Sequence, residues 1–228
     1  MKTWFPFTSY DFYAYITTGM LALAAFDRVF MGSMLANEQD WSFVAIAFWT
    51  AIAYLTGQLL AIPSSAILEH VVARRILNPP ASILLGLKNP RRREAVFTQA
   101  FGAREFVPLS VASQRSILRK VSEKLDIAVE EVDAESAFQC AFPIARSSVD
   151  SATRLDTFLN QYGMARNVSF ASLIAAFLLL YHGWAETDHV STNLGIAAVI
   201  LSIGMFGHFV KFYAAYAREV LRTFDSIC

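Results

Sequence analysis

The sequence predicts an all-α polytopic membrane protein, with four transmembrane helices and a helical cytoplasmic domain inserted between the second and the third. Hydrophobic residues make up 55% of the chain and charged residues only 17%, whereas soluble domains average about 25% charged residues. The apolar residues form two blocks near each end of the chain, and a polar segment separates the two pairs. This layout indicates that lipid surrounds the two ends of the chain and water the middle.

The chain divides into three regions on this pattern. Residues 1–68 form an N-terminal transmembrane hairpin, residues 69–166 a cytoplasmic helical domain, and residues 167–228 a C-terminal transmembrane hairpin with a cytoplasmic tail. The predicted spans are residues 10–35, 41–62, 168–184 and 194–213.

The first span has a competing interpretation as a secretory signal. Lys2, the apolar run and the Ala22-Leu23-Ala24 sequence imitate a signal peptide and its cleavage site. However, Asp11 lies inside the segment, and the aromatic stretch before it is unusually long. We therefore interpret the segment as a retained span that begins with a capping box at Thr8–Asp11.

The orientation follows from the basic residues. The connections at residues 37–40 and 181–193 contain Asp and Glu but no Lys or Arg, whereas residues 69–166 hold 14 of the 19 basic residues. Because Lys and Arg collect on the cytoplasmic side of membrane proteins, the middle domain and both termini are predicted to be cytoplasmic. We expect the membrane to be a cell inner membrane.

The middle region is predicted to form about five short helices. The second span is expected to kink at Pro63 and continue as a stalk, which the Asn78-Pro79-Pro80 sequence ends. Another helix begins at Asn89-Pro90 and closes at Gly102. A third helix covers about residues 110–125 and has Ile117, Val121 and Leu125 on one face. A fourth is capped by Asp133 and interrupted by Pro143. The fifth covers residues 148–163 and leads through Arg166-Asn167 into the third span.

Polar residues inside the fourth span are the first candidates for function. His208 and Lys211 lie three residues apart on one helix face, and Gln58 lies at a similar depth on the second span. One interpretation is a polar pathway through the membrane. The alternative is structural, with a hydrogen bond between Gln58 and His208 joining two helices while Lys211 reaches the headgroups.

Asp27 and Arg28 interrupt the first span. They form either a gate or counter-ion pair inside the bundle, or a polar pair at the interface where the hydrocarbon region ends. The apolar stretch at residues 29–35 that follows leaves both interpretations open.

Small residues form smooth stripes on two spans. Ala53, Gly57 and Ala61 repeat every four residues on the second span, and Gly204 and Gly207 lie three residues apart on the fourth. Small side chains let helices in lipid approach closely. The stripes predict close packing and, less directly, a homo-oligomer.

Two charged segments of the middle region are candidate contact surfaces. Arg91, Arg92 and Arg93 lie in the first turn of a predicted helix, where the macrodipole disfavours positive charge. Lipid headgroups, acidic protein groups and a phosphate ligand would each resolve that conflict, but a nucleic-acid partner is not expected. The acidic stretch of Glu123, Asp126, Glu130, Glu131, Asp133 and Glu135 lacks calcium-loop spacing, and is either a solvated face or a contact for a basic segment of a neighbouring subunit.

No catalytic, cofactor or metal motif stands out. The chain has no His-Glu-x-x-His, Walker loop, Gly-x-Ser-x-Gly or Cys-x-x-Cys sequence, and the four histidines do not cluster. We therefore predict no catalytic residue, cofactor or metal. Cys140 and Cys228 are expected to be free thiols.

Three classes of function fit this layout. The favoured class is a non-enzymatic membrane sensor, effector or assembly subunit, whose partners are the lipid bilayer, other copies of the chain and a protein or ligand of the cytoplasmic domain. The first alternative is an oligomeric ion-conducting pore lined by Gln58, His208 and Asp27. The second alternative is a membrane enzyme at the inner lipid interface, built around Glu69, His70 and the arginines.

Overall fold

The computed structural model describes residues 12–69, 78–89 and 107–228, and every regular element in them is helical, as predicted. One turn of π-helix, Phe12–Ile16, leads directly into the first α-helix. The α-helices are α1 (Thr17–Phe30), α2 (Met34–Asn37), α3 (Phe43–Ser64), α4 (Pro80–Leu84), α5 (Val111–Leu125), α6 (Ala134–Ser147), α7 (Val149–Ala185) and α8 (His189–Ile227), and Val129–Glu131 forms a 3-10 turn.

The described residues divide into two compact units. The first unit contains residues 12–69 and 163–206, and the second contains residues 78–89, 107–162 and 207–228. Both α7 and α8 contribute residues to each unit without a break in the helix.

Three helices are long and apolar enough to cross a membrane. They are Phe43–Glu69, Val149–Ala185 and His189–Ile227, and they contain the second, third and fourth predicted spans. The helical run at residues 12–30 belongs to the first predicted span, and it packs against α3. A four-span arrangement therefore stays a prediction.

The helix of the first span ends at Phe30, five residues before the predicted boundary at residue 35. Gly32 and Ser33 both adopt the left-handed backbone conformation, with φ of 64° and 66°. Two successive left-handed residues cannot continue a right-handed helix. The chain turns here and starts the short helix α2, which the apolar composition of residues 29–35 did not indicate.

The contact between the helical run at residues 12–30 and α3 depends on two glycines. A Cβ atom on Gly19 would lie 1.7 Å from the carbonyl oxygen of Ala53, and one on Gly57 would lie 2.0 Å from that of Tyr15. Only a residue without a side chain permits such an approach. The two helix backbones therefore touch directly at this crossing.

The second unit has a hydrophobic core of its own, in which α5, α6, α7 and α8 meet. Ile117 and Val121 of α5 and Phe224 of α8 are fully buried. A stripe of fully buried alanines on α6, Ala137, Ala141 and Ala145, faces the same core. Leu125, predicted on the same face of α5 as Ile117 and Val121, is 41% exposed at the end of the helix.

One further prediction for the middle region needs correction. Pro143 does not interrupt α6, which continues to Ser147, because proline removes one hydrogen bond while the buried alanine stripe on both sides holds the helix in place. The residues after Asn78 and Pro79 form the buried helix α4. The predicted helix at residues 89–102 lies outside the described residues, apart from Asn89.

Candidate functional site

A polar cluster closes one end of the first unit, and Arg28 is at its centre. The guanidinium donates to Asp188 Oδ2 at 2.6 Å, to Ser33 Oγ at 2.9 Å and to Ser191 Oγ at 3.2 Å. The His182 Nδ1 atom lies 3.2 Å from the same Ser191 hydroxyl. We call these five residues the loop-end cluster, because Asp188 belongs to the connection between α7 and α8 and Ser33 to that between α1 and α2. The cluster thereby joins the N-terminal hairpin to the C-terminal hairpin.

Asp27 has a different role from its neighbour Arg28. Its carboxylate accepts the backbone N–H groups of Leu35 at 2.9 Å and Ala36 at 3.3 Å, and its side chain is buried. The carboxylate therefore stabilises the first turn of α2, whose free amides need acceptors.

The electrostatics of the cluster favour an ionised Asp188. Hydrogen bonds from the Ser191 hydroxyl and from Arg28 hold the pKa of this carboxyl well below its ordinary value. Both donors stabilise the charged form. The Arg28–Asp188 ion pair is therefore present throughout the neutral pH range.

A second polar cluster lies at the other end of α3. Glu69 Oε2 accepts from Arg166 Nη1 at 2.7 Å, and both side chains are largely buried. The same guanidinium donates to Asn167 Oδ1, and Ser64 donates to the Arg166 carbonyl. We call these residues, with Ser65, the stalk-end cluster. It also joins the N-terminal half of the first unit to the C-terminal half.

The spacing of the two clusters along α7 matches the thickness of a bilayer. Nineteen residues separate Arg166 from the end of the helix at Ala185, which corresponds to about 29 Å of helix, and residues 167–185 contain no Asp, Glu, Lys or Arg. The hydrocarbon core of a bilayer is about 30 Å thick. The Arg28–Asp188 and Glu69–Arg166 ion pairs thus lie at the two ends of an uncharged segment.

A cleft of about 570 Å³ lies beside the loop-end cluster, within the first unit. It is bordered by α1, by α2 and the turn before it, by the start of α3 and by the start of α8. Its lining is mostly apolar and includes two tryptophans. The lining residues are Met20, Leu23, Ala24, Asp27, Arg28, Ser33, Leu35, Ala36, Asn37, Trp41, Trp49, Ala53, Val190 and Leu194.

Gln58 and His208, two of the other predicted intramembrane residues, each contact a residue of their own helix. Gln58 Nε2 donates to the Tyr54 hydroxyl at 2.9 Å. His208 is exposed and its ring packs on Phe212, with centroids 4.5 Å apart, while Lys211 is half-buried. Gln58 and His208 belong to different units, so the hydrogen bond between them stays a prediction.

The small residues proposed for helix packing occupy unlike environments. Ala53 and Gly57 are buried against residues of the N-terminal helical run, and Ala61 is half-buried. Gly207 is buried, whereas a Cβ atom on Gly204 would meet nothing within 4 Å. Among the described residues, Gly57 therefore takes part in a close helix contact, whereas no described atom packs closely against Gly204.

The charged segments of the middle region are only partly described. Arg91, Arg92 and Arg93 lie outside the described residues. All six members of the acidic stretch are exposed. Asp133 caps α6 by accepting the Ser136 amide at 2.7 Å, and this hydrogen bond lowers the pKa of Asp133. Within residues 12–69, 78–89 and 107–228, no three His, Cys, Asp or Glu side chains are grouped as metal ligands would be.

Sequence reasoning identified Arg28 and named Glu69, but it did not predict the partners of Arg28 or the contact between Glu69 and Arg166. Two partners of Arg28, Asp188 and Ser191, are 160 or more residues away, and Glu69 is 97 residues from Arg166. One usable signal was that Arg28 lies near the end of the first span, while the connection between the third and fourth spans contains acidic residues and no Lys or Arg.

Comparison of the chain with models of protein families, with curated proteins and with solved structures gives no match.

Proposed function

We propose that this chain is a four-span inner-membrane protein that works as a non-enzymatic sensor or effector, with both termini and a partner-recruiting second unit in the cytoplasm. The observation that carries the proposal is the continuity of α7 and α8, which have 37 and 39 residues and contribute to both units. A span needs only about 20 residues. Each helix therefore has a surplus of roughly 25 Å with which to extend into water.

Continuous helices give a physical route for a signal. An α-helix resists bending because each of its turns is hydrogen-bonded to the next. A displacement of α7 or α8 at the loop-end cluster would move the part of the same helix that belongs to the second unit. The proposal therefore treats these two helices as the coupling elements.

The two polar clusters support a non-conducting role for a single copy. Both join the N-terminal part of the first unit to its C-terminal part through ion pairs, Arg28–Asp188 and Glu69–Arg166. Charged side chains that are engaged with each other do not present free charges to a permeating ion.

Topology is the first test of the proposal. In a background with Cys140→Ser and Cys228→Ser, single cysteines at the exposed positions Asn37 and Glu186 should react with a membrane-impermeant maleimide in intact spheroplasts. A cysteine at the exposed position Glu130 should react only after permeabilisation. Labelling of Glu130→Cys in intact spheroplasts would show that the second unit is outside, and the proposal would fail.

Recruitment by the second unit is the second test. A photo-crosslinking amino acid at the exposed Glu131 should give one discrete adduct in cells, with a partner protein or another copy. The same probe at the exposed Thr153 of α7 is the matched control and should give none. Equal, diffuse labelling from both positions would contradict a specific partner surface at the acidic stretch.

One observation favours the pore as a second candidate. His208 is exposed although it lies inside the predicted span at residues 194–213, and an ionisable group facing lipid is costly. Contact with another copy would cover it. Liposomes containing the purified oligomer should then show ion flux that His208→Ala alters, and wild-type liposomes without flux would exclude the pore.

A further inference from the structure

We propose that the cleft of the first unit binds an amphipathic organic cation, a molecule with one delocalised or quaternary positive charge and several apolar arms. This inference concerns ligand binding alone and holds whether or not the protein is a sensor. It follows from the size of the cleft, its aromatic lining and the sign of the charge around it.

Size and lining are those of a small-molecule site. Its volume of about 570 Å³ lies inside the range of roughly 300–1,000 Å³ for ligand pockets, which are mostly apolar with a few convergent polar groups. Leu23 and Leu194 are apolar members of the lining, while Asp27 and Arg28 are its charged members.

The charge of the cleft is negative once existing pairs are counted. Arg28 is already engaged by Asp188 at 2.6 Å, so the two charges compensate each other. The carboxylate of Asp27 accepts backbone amides, and none of the described Lys, Arg or His side chains forms an ion pair with it. A ligand in the cleft therefore meets the field of one buried carboxylate.

The surrounding connections add to that field. Residues 31–42 and 185–193 contain acidic residues and no Lys or Arg. Acidic side chains around a cleft with low-dielectric walls focus field lines and concentrate cations there, most strongly at low ionic strength. Five carboxylates stand against one guanidinium at this end, which gives a formal charge of −4: Asp27, Glu38, Asp40, Glu186 and Asp188 against Arg28.

Two tryptophans make the site suitable for an organic cation rather than a metal ion. Trp41 and Trp49 both line the cleft, and the Trp41 indole is fixed by a hydrogen bond of 3.0 Å to the carbonyl of Glu38. The face of an indole attracts a weakly hydrated cation. The lining thus offers apolar area, aromatic faces and negative potential together, and an amphipathic cation uses all three.

The test is equilibrium dialysis of the full-length protein in a neutral maltoside detergent, with tetraphenylphosphonium as the probe. Tetraphenylborate is the matched control, because it has nearly the same shape and apolar surface but the opposite charge. We expect saturable binding of one tetraphenylphosphonium per chain and at least tenfold weaker binding of tetraphenylborate. Absence of saturable phosphonium binding to folded protein, or equal binding of the two ions, would overturn the proposal.

A pair of variants locates the binding. Ala24 lines the cleft and is exposed, so Ala24→Phe should fill the cleft and remove phosphonium binding. Ala51 is an exposed alanine of α3 that does not line the cleft, so Ala51→Phe should bind as wild type does. Phosphonium binding that survives Ala24→Phe unchanged would place the ion elsewhere and refute the inference.

A charge variant tests the electrostatic part independently of the cleft's shape. Glu38→Gln with Glu186→Gln changes two exposed side chains, and the Glu38 carbonyl that Trp41 uses is retained. Phosphonium affinity should fall roughly threefold to tenfold at low ionic strength and by less at high salt. An unchanged affinity at low ionic strength would contradict the role assigned to the acidic connections.

Discussion

Ser169 of α7 and Ser202 of α8 exchange two hydrogen bonds inside the first unit. The Ser169 hydroxyl donates to the carbonyl of Ser202 at 3.0 Å, and the Ser202 hydroxyl donates to the carbonyl of Ser169 at 2.9 Å. Both side chains are buried. The pair joins the two longest helices in a region where apolar contacts with lipid and with protein are nearly equivalent, so polar contacts gain importance.

Ser169→Ala and Ser202→Ala should each lower the free energy of unfolding by about 0.5–1.5 kcal/mol, the range measured for interhelical hydrogen bonds in membranes. The helix geometry permits alanine at both positions, so the folded state should persist. Unfolding titrations in mixed micelles would measure the losses. A loss below the error of the titration for both variants would mean that the pair adds nothing to the helix contact.

The crossing of the helical run at residues 12–30 with α3 gives a steric prediction with an internal control. Gly57→Ala places a Cβ atom 2.0 Å from the carbonyl of Tyr15, and the forced separation should cost about 2–3 kcal/mol. Gly204→Ala meets open space and should be neutral or gain up to about 1 kcal/mol, because alanine has the higher helix propensity. Equal effects of the two substitutions on unfolding would contradict the backbone contact at Gly57.

The apolar runs predicted the second, third and fourth spans because hydrophobicity is a local property of the sequence. They did not set the helix ends. The Gly32–Ser33 turn lies within a continuous apolar stretch, and only its left-handed backbone reveals it. Conversely, Arg166 and Asn167 look like a helix boundary, yet α7 passes through them because their side chains bind Glu69 and one another.

For the candidate site, the sequence predicted individual residues such as Arg28 but not the distant residues that they contact. An unpaired cation such as Arg28 at the end of a span signals that a partner exists, but the identity of Asp188 depends on the tertiary fold. The same holds for the cleft, whose walls come from residues as far apart as Met20 and Leu194. One sequence gives no information about which of its distant residues meet.

The ion pair of the stalk-end cluster should be sensitive to removal of one partner. Glu69 and Arg166 are only 14% and 12% exposed, so Glu69→Ala leaves a largely buried guanidinium without its carboxylate. We expect a loss of about 3–5 kcal/mol in the free energy of unfolding. The exchange Glu69→Arg with Arg166→Glu should recover part of the loss, and a double exchange no more stable than Glu69→Ala would argue against direct pairing.

In the second unit, a partly buried ion pair can be compared with an exposed ion pair on the same helix. Lys120 of α5 donates to Asp225 Oδ1 at 2.7 Å and to its backbone carbonyl at 2.6 Å. Arg119 and Glu123 of the same helix form a longer, exposed pair at 3.6 Å. Lys120→Met should therefore destabilise the second unit by about 1.5–3 kcal/mol, whereas Glu123→Gln should change the free energy of unfolding by less than about 0.5 kcal/mol.

Hydrogen–deuterium exchange of α5 and the end of α8 would locate that effect. Faster exchange in both segments of Lys120→Met, with wild-type exchange in Glu123→Gln, is the expected result. Identical exchange in the two variants would show that the contact with Asp225 does not hold α8 in place.

The loop-end cluster gives a prediction for pH dependence. The folded-state pKa of Asp188 is depressed from its ordinary value of 3.8, first by the Ser191 hydrogen bond and then by Arg28. A depressed carboxyl pKa stabilises the folded state above the unfolded pKa, and the stabilisation is lost as the pH falls toward the folded value. Arg28→Gln should therefore be less stable than wild type at neutral pH, with the difference constant down to about pH 4.

Below that pH the stabilities of wild type and Arg28→Gln should converge, because protonation of Asp188 removes the charge that Arg28 binds. Unfolding of both proteins measured from pH 7 to pH 2 would follow the convergence. Arg119→Gln is the control, because Arg119 pairs with Glu123 four residues further along the same helix and both side chains are exposed. A constant difference between wild type and Arg28→Gln across the acid range would mean that the guanidinium stabilises the cluster through Ser33 and Ser191, not through the charge of Asp188.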